Sequence, residues 1–343
     1  MISEEDLEEL RGRLQGLQNP VFLFDNDCDG LCSYLLLRRW LGRGKGIAIR
    51  SYPDLGAQYV QKVAGFKADG VVVLDKPVLS ETFLSGIAEI GIPLLVIDHH
   101  AQSISEDHRL SLYNPLLGTK KSDEPVTYWC YQLTGKKDGW IALLGCISDH
   151  YLPPFAAEVG ARHPELWGKV KDVGEAYFST GFGEIARALN FGLKDSLSHV
   201  VEMQDYLLDC GSPSDVLAEV SDNRVFRDRV GALRKKYVSL LDKSGDCWFG
   251  NLLFFDYGGD TSMSSDLANE LSFRHLGKVV AVAYVKEGVS NLSLRGKGVR
   301  VILEKLLPLF PGASGGGHDD AVGARFKSSD LARFREALAE VVG

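Results

Sequence analysis

At 343 residues and 45% hydrophobic content the chain can bury a sizeable core, and its length fits two domains better than one. Its 46 acidic residues outnumber 38 Lys and Arg, a formal net charge of −8; this excludes broad nonspecific duplex binding, which depends on neutralised phosphates, so any nucleic-acid contact must be local. The opening stretch lacks the basic start and apolar run of a signal peptide, and no segment approaches the roughly 18 apolar residues of a spanning helix, so a cytoplasmic protein with no membrane partner is expected.

The first predicted element is a helix from Ser3 to about Gly16, with a Ser3/Asp6 capping pattern and Leu7, Leu10, Leu14 and Leu17 on one face. Four short apolar strands follow: Val21–Asp25, Ile47–Tyr52, Val71–Asp75 and Leu94–Asp98. Helical patterns such as LCSYLLLRRWL and LSETFLSGIAEIG separate them. Continuous rather than alternating apolar strands imply a sheet covered on both faces, and helical spacers imply parallel crossovers. The fold class is therefore α/β. Helices around EPVTYWCYQLTG and WIALLGCISDHY close this part near residue 150. The six cysteines form no CxxC pair and several lie in apolar runs, which favours buried thiols over disulfides or zinc.

Ligands in parallel α/β sheets collect at the carboxyl ends of strands, so Asp25, Asp75 and Asp98 are expected to converge. The first opens DNDCDG, which sets Asp25, Asp27 and Asp29 at alternate positions before Gly30. Taken alone, these acids read equally as a solvated strand end with helix caps or as a cation site. An EF-hand loop is excluded because its twelfth position is Leu36. The fourth strand ends in Asp98, His99 and His100, and imidazole beside carboxylate suits a transition metal such as Mn2+ better than Mg2+ or Ca2+.

Beyond residue 150 the sequence is helical in tone, ending in a long helix, VFRDRVGALRKKYVSLLDK. Its cations Arg227, Arg229, Arg234, Lys235 and Lys236 read either as a solvated face or as one wall of a cleft that tracks phosphates, with Tyr237 or Phe226 available for stacking. Strand and helix patterns then resume. In SNLSLRG, alternation sends Leu292 and Leu294 to one face and Ser293 and Arg295 to the other, making Arg295 an exposed cation on a sheet. Gly315, Gly316 and Gly317 precede His318, a run that reads either as a flexible turn or as a loop cradling an anion. There is no GxxxxGK[ST] loop, so ATP hydrolysis is not indicated.

The series DNDCDG, VVVLDKP, VIDHH and GCISDH, containing Asp25, Asp75, Asp98 to His100 and Asp149, resembles the four successive motifs of the DHH phosphoesterases. GGGHDDAVGARF resembles the glycine-rich signature of the DHHA1 domain, and together the likeness spans about residues 20 to 150 and 250 to 343. It implies a parallel-sheet DHH domain over residues 1–150, a helical connector over 151–245 and a smaller α/β DHHA1 domain over 246–343, forming a cleft. It further implies two Mn2+ ions per chain, with Mg2+ as a substitute. One would be held by Asp25, Asp27 and Asp75, the other by Asp29, Asp75, His99 and Asp149. Asp98 would orient a histidine and His100 would contact the scissile phosphate or leaving group. Ser293, Arg295, Gly315 to Gly317 and His318 would bind substrate.

The DxDxDG first motif is similar to that of RecJ-like exonucleases, of the compact archaeal type, which implies degradation of single-stranded DNA or RNA to mononucleotides. Polarity and the choice of nucleic acid stay open. A nanoRNase or cyclic-dinucleotide phosphodiesterase is the alternative enzyme. A non-catalytic scaffold is the alternative of another class, since some superfamily members that lost their ligands serve in replication complexes. A replication or repair protein partner and a homo-oligomer are both compatible with the resemblance.

Overall fold

The structure is a computed structural model that describes residues 1–50, 55–101 and 107–343. It divides into two compact units, Met1–Val230 and Gly231–Gly343.

The first unit opens with α1 (Glu4–Gly16), started by the Ser3/Asp6 capping box. Then come β1 (Pro20–Asp25), α2 (Cys28–Leu41), β2 (Lys45–Ile49), α3 (Gln58–Gly65), β3 (Gly70–Leu74), α4 (Glu81–Ile90), β4 (Leu94–Ile97) and β5 (Ser111–Tyr113). The strands are all parallel in the order β2-β1-β3-β4-β5. The three-residue β5 is an addition to the expected strands; its SLY is too short to carry a period. The expected continuation of β2 through Tyr52 lies outside the described residues.

Both faces of this sheet are covered, which is why its strands are apolar without interruption. Val21, Leu23, Val71, Val73 and Val96 pack with Tyr59, Val63, Phe83 and Ile87 of α3 and α4. The alternate residues Phe22, Phe24, Val72, Leu74, Leu95 and Ile97 pack against α1, α2 and two following helices, α5 (Val126–Leu133) and α6 (Gly139–Ser148). Further helices complete the unit: α7 (Ala156–Arg162), α8 (Pro164–Trp167), α9 (Val173–Ser179), α10 (Gly181–Leu193), α11 (Leu197–Asp209) and α12 (Pro213–Val216). Cys28, Cys32, Cys130, Cys146 and Cys210 are buried free thiols, and Cys247 is a half-buried one.

The long α13 (Arg224–Ser244) runs past the boundary at residue 230. The second unit then contains β6 (Trp248–Phe249), β7 (Leu252–Gly258), α14 (Ser264–Arg274), β8 (Val279–Lys286), β9 (Val289–Arg295), α15 (Val299–Leu306), β10 (Ser314–His318), β11 (Ala321–Lys327) and α16 (Leu331–Val342). Its sheet is mixed, in the order β10-β11-β9-β8-β7-β6, with only β7 and β8 parallel across the α14 crossover. Leu292 and Leu294 face α15 and α16 in the core with Leu303, Phe334 and Leu338. The glycine run is neither a turn nor a loop: Ser314–His318 forms edge strand β10, exposed throughout and paired antiparallel with β11. No helix among the described residues is long and apolar enough to cross a membrane.

Candidate metal centre

Parallel strands deliver their ends to one edge, and here the register aligns the three acids residue for residue. Phe24 of β1 pairs with Leu74 of β3, which pairs with Ile97 of β4, so the next residue on each chain is Asp25, Asp75 and Asp98. The strand order reverses at β1, where crevices form in such sheets. Gly30 lets α2 begin against this edge, because a Cβ there would meet the Asp25 carbonyl oxygen at 2.5 Å. Asp27 caps α2, its Oδ1 accepting from the Gly30 N–H at 2.9 Å. Asp149 is the C-cap of α6. That helix lies close against α5 at Gly145, where a Cβ would meet Thr127 Oγ1 at 2.2 Å.

The side chains meet as follows. His99 Nε2 lies 3.4 Å from Asp75 Oδ1 and 3.6 Å from Asp149 Oδ2. His100 Nδ1 lies 3.0 Å from Asp98 Oδ1 and 3.7 Å from Asp75 Oδ1. The fully buried Asp98 also accepts from the His100 backbone N–H at 2.9 Å, so the histidine it orients is His100. Asp29 is buried on α2, and its two oxygens accept from the backbone N–H groups of Val126 at 2.9 Å and Thr127 at 2.8 Å. It thereby closes the start of α5, whose own N-cap, Pro125, offers no side-chain bond.

The electrostatics match this crowding. Burial, then the charges of Asp25 and Asp29, push Asp27 up to about 7. Burial and Asp29 push Asp149 up to about 8, although 38% of its side chain stays open. Asp75 is raised well above the ordinary carboxylate range by burial and by Asp29, Asp27, Asp149 and Asp25. Burial opposes protonation of His100, but its bond to Asp98 and the surrounding acids outweigh that and raise its pKa.

Asp75 Oδ1 is buried with no hydrogen-bond partner among the described residues. A buried carboxylate oxygen left so, among other carboxylates, is an acceptor that a cation satisfies. Among the described residues, two sets of donors lie within 4.8 Å of one another: Asp75, His99 and His100, and Asp29, His99 and Asp149. These residues can hold a metal ion.

Sequence reasoning missed Lys76. Its side chain is 4% exposed, and its Nζ lies 3.1 Å from Asp25 Oδ1. The signal was a lysine placed between an apolar strand and Pro77, where a solvated residue is hard to accommodate. With Asn26, Arg50, Leu193 and Lys194, Asp25 and Lys76 line a cleft of about 400 Å³. Arg50 is already bonded to the carbonyls of Leu193 and Asp195.

In the second unit the expected substrate residues differ in exposure. Arg295 is not the exposed cation that alternation implies, because α14 covers that face of β9. Its guanidinium bonds Asn269 Oδ1 at 2.6 Å, Ser265 Oγ at 3.0 Å and the carbonyls of Leu294 and Val322, and burial lowers its pKa to about 10 against the pull of Asp266. Ser293 is buried, donating to Ser264 Oγ at 3.1 Å. Gly315, Gly316, Gly317 and His318 are exposed on β10. Phe226 and Tyr237 are buried and offer no stacking face, with the Tyr237 hydroxyl donating to Glu270 Oε2 at 2.6 Å. Of the helix cations, Arg227 bonds Asn223 and Arg229 pairs with Asp195. Lys235, Lys236 and Lys243 line a groove of about 410 Å³ with Tyr257 to Thr261.

Residues 250–343 match the DHHA1 domain family. No curated protein sequence matches the chain. Among solved structures, RecJ in complex with Mn2+ from Thermus thermophilus is similar at a TM-score of 0.68 and 16% identity, over 98% of this chain and 54% of that one. The chain thus spans about half the length of that RecJ. An exonuclease RecJ bound to manganese is similar at a TM-score of 0.61 and 15% identity, over 100% of this chain and 95% of its own. CDC45 from Entamoeba histolytica is similar at 0.55 and 11% identity, over 98% of both. At such identities the likeness is one of fold.

Proposed function

We propose, from the DHHA1 family match over residues 250–343 and the fold shared with the RecJ structures, that the chain is a member of the DHH/DHHA1 superfamily and a metal-dependent phosphodiesterase. The observation that carries the proposal is the buried, unpartnered Asp75 oxygen at the meeting point of His99, His100 and the strand-end acids. In its finer form the reading is a RecJ-like exonuclease that releases mononucleotides from single-stranded DNA or RNA with Mn2+, Mg2+ substituting.

Asp29, Asp75, His99 and Asp149 would hold the ion, and Asp25 and Asp27 extend the acidic edge beside them. A divalent ion bound there supplies an acidified water and offsets the charge of a phosphodiester. The chain's own contribution is positioning. Asp98 keeps a proton on Nδ1 of His100 and favours its charged form, so His100 is the donor proposed to meet a phosphate oxygen or protonate the leaving oxygen. In the second unit His318 and the backbone of Gly315 to Gly317 are proposed as substrate contacts, joined by the solvent-facing Nη2 of Arg295, while the buried Ser293 holds β9 to α14. The scaffold reading is disfavoured because every motif position retains its acid or imidazole.

End-labelled single-stranded DNA, single-stranded RNA, dinucleotides and a cyclic dinucleotide, each incubated with Mn2+, test the proposal. Stepwise release of mononucleotides from a long strand is expected. Turnover confined to dinucleotides or the cyclic substrate moves the assignment to the alternative enzyme class, and no turnover of any substrate rejects it.

A further inference from the structure

The proposed phosphodiesterase reading leaves unexplained a lysine buried among acids that are meant for metal. Backbone geometry fixes where it sits. Asp75 takes a left-handed conformation, φ 58°, just after β3, and Pro77 restricts the residue before it to extended conformations. Lys76 is held between these two constraints, and its stem is packed away from solvent. A lysine is almost never buried unless its charge is paired. Here the ammonium sits 3.1 Å from Asp25 Oδ1, a carboxylate that is 33% exposed.

Asp25 is also one of the three acids that would hold an ion on this side of the edge. The two donor sets that converge on a single point both include His99, and neither includes Asp25 or Asp27. An ion bound through Asp25 would therefore share its carboxylate with a fixed positive charge 3.1 Å away, and like charges that close repel. Resting on the metal-dependent reading, we infer that the Lys76 ammonium is a built-in cation that takes the Asp25 side of the site, so that the chain binds one divalent ion tightly rather than two. The ion belongs to the His99 side, with Asp29, Asp75 and Asp149. Lys76 contributes fixed charge where a second ion would otherwise contribute it, and its position beside Asp25 in the 400 Å³ cleft puts that charge within reach of an entering phosphate.

The test counts ions on the full chain, stripped with chelator and reloaded with Mn2+ alone. Elemental analysis after desalting, titration calorimetry and the low-temperature electron paramagnetic resonance spectrum of bound Mn2+ are read together. One tight ion with the spectrum of an isolated Mn2+ is expected. Lys76→Met, which keeps the stem and removes the charge, is expected to gain a second ion, bound about tenfold or more tighter than any second ion of the parent chain, with a spin-coupled spectrum. Lys76→Arg should keep one ion. Asp25→Asn should also keep one, whereas His99→Ala should lose it. Two comparable ions or a coupled spectrum in the unaltered chain overturn the inference and leave the phosphodiesterase reading standing, even if Lys76→Met fails to fold. No tight ion in the unaltered chain overturns both.

Discussion

Asp29→Ala isolates the structural share of an acid that both caps the fold and is proposed to hold the ion. Its carboxylate is the acceptor for two backbone donors, Val126 N–H at 2.9 Å and Thr127 N–H at 2.8 Å, in a buried place where water cannot substitute. Each buried donor stripped of its acceptor costs about 1–3 kcal/mol, so the pair would cost about 2–6 kcal/mol. Burial also raises the pKa of Asp29, against the opposing effects of His99 and these same bonds, so the native state already bears a cost for its charge. Removing the acid relieves part of that cost and places the expected loss at about 2–4 kcal/mol. Asp29→Asn keeps one acceptor and should cost about 1–2 kcal/mol. Urea unfolding of the full chain in excess chelator, followed by the fluorescence of the buried Trp129 on α5 and Trp140 on α6, reads the first unit without any metal contribution. An Asp29→Ala chain within about 0.5 kcal/mol of its parent would refute the capping argument.

Asp75→Ala should behave in the opposite sense: hydrolysis and metal binding vanish, while metal-free stability is unchanged or higher, because its Oδ1 has no hydrogen bond to lose among the described residues and the repulsion of four acids outweighs its contacts with His99 and His100; a clear destabilisation in chelator speaks against it. For pH, Asp27 at about 7 and Asp149 at about 8 lie above the ordinary 3.8, so both are protonated in either state below about 4. Above that only the unfolded chain ionises, and metal-free stability falls as pH rises towards 8, then levels. Saturating Mn2+ should reverse this trend by favouring the ionised acids, and thermal melts with and without it check the sign; a metal-free midpoint that climbs over the same range contradicts the assignment. Arg295→Ala should lower the stability of the second unit by about 1–3 kcal/mol, since Asn269, Ser265 and two carbonyls lose a donor. His318→Ala, on the exposed β10, should change stability by less than about 0.5 kcal/mol while weakening oligonucleotide turnover more than that of bis(p-nitrophenyl) phosphate; equal losses on both substrates would remove His318 from substrate capture.

The first unit's strands were legible because a parallel sheet covered on both faces writes itself as uninterrupted apolar runs, and the acids at their ends were legible because strand register carries Asp25, Asp75 and Asp98 to one edge. β5 was not, since three residues cannot display a period. Arg295 was misplaced for a different reason. Alternation assigns a residue to a face of β9 but does not say whether a helix covers that face, and α14 does. The glycine run was misread because glycine marks a turn in isolation, whereas pairing of Gly315 to Gly317 with β11 is a tertiary fact. Lys76 escaped notice because its meaning depends on Asp25, fifty-one positions earlier in the chain.

The orphaned Asp75 oxygen also bears on how long such a protein survives in a cell. Acids raised in pKa by burial and by one another's charge lower the free energy needed to open the metal-free first unit, and a bound ion restores it by mass action. Open chains are the ones that quality-control proteases degrade. Under the proposed chemistry, metal supply would thus set the lifetime of the protein as well as its activity, and scarcity of the ion would clear idle copies rather than store them.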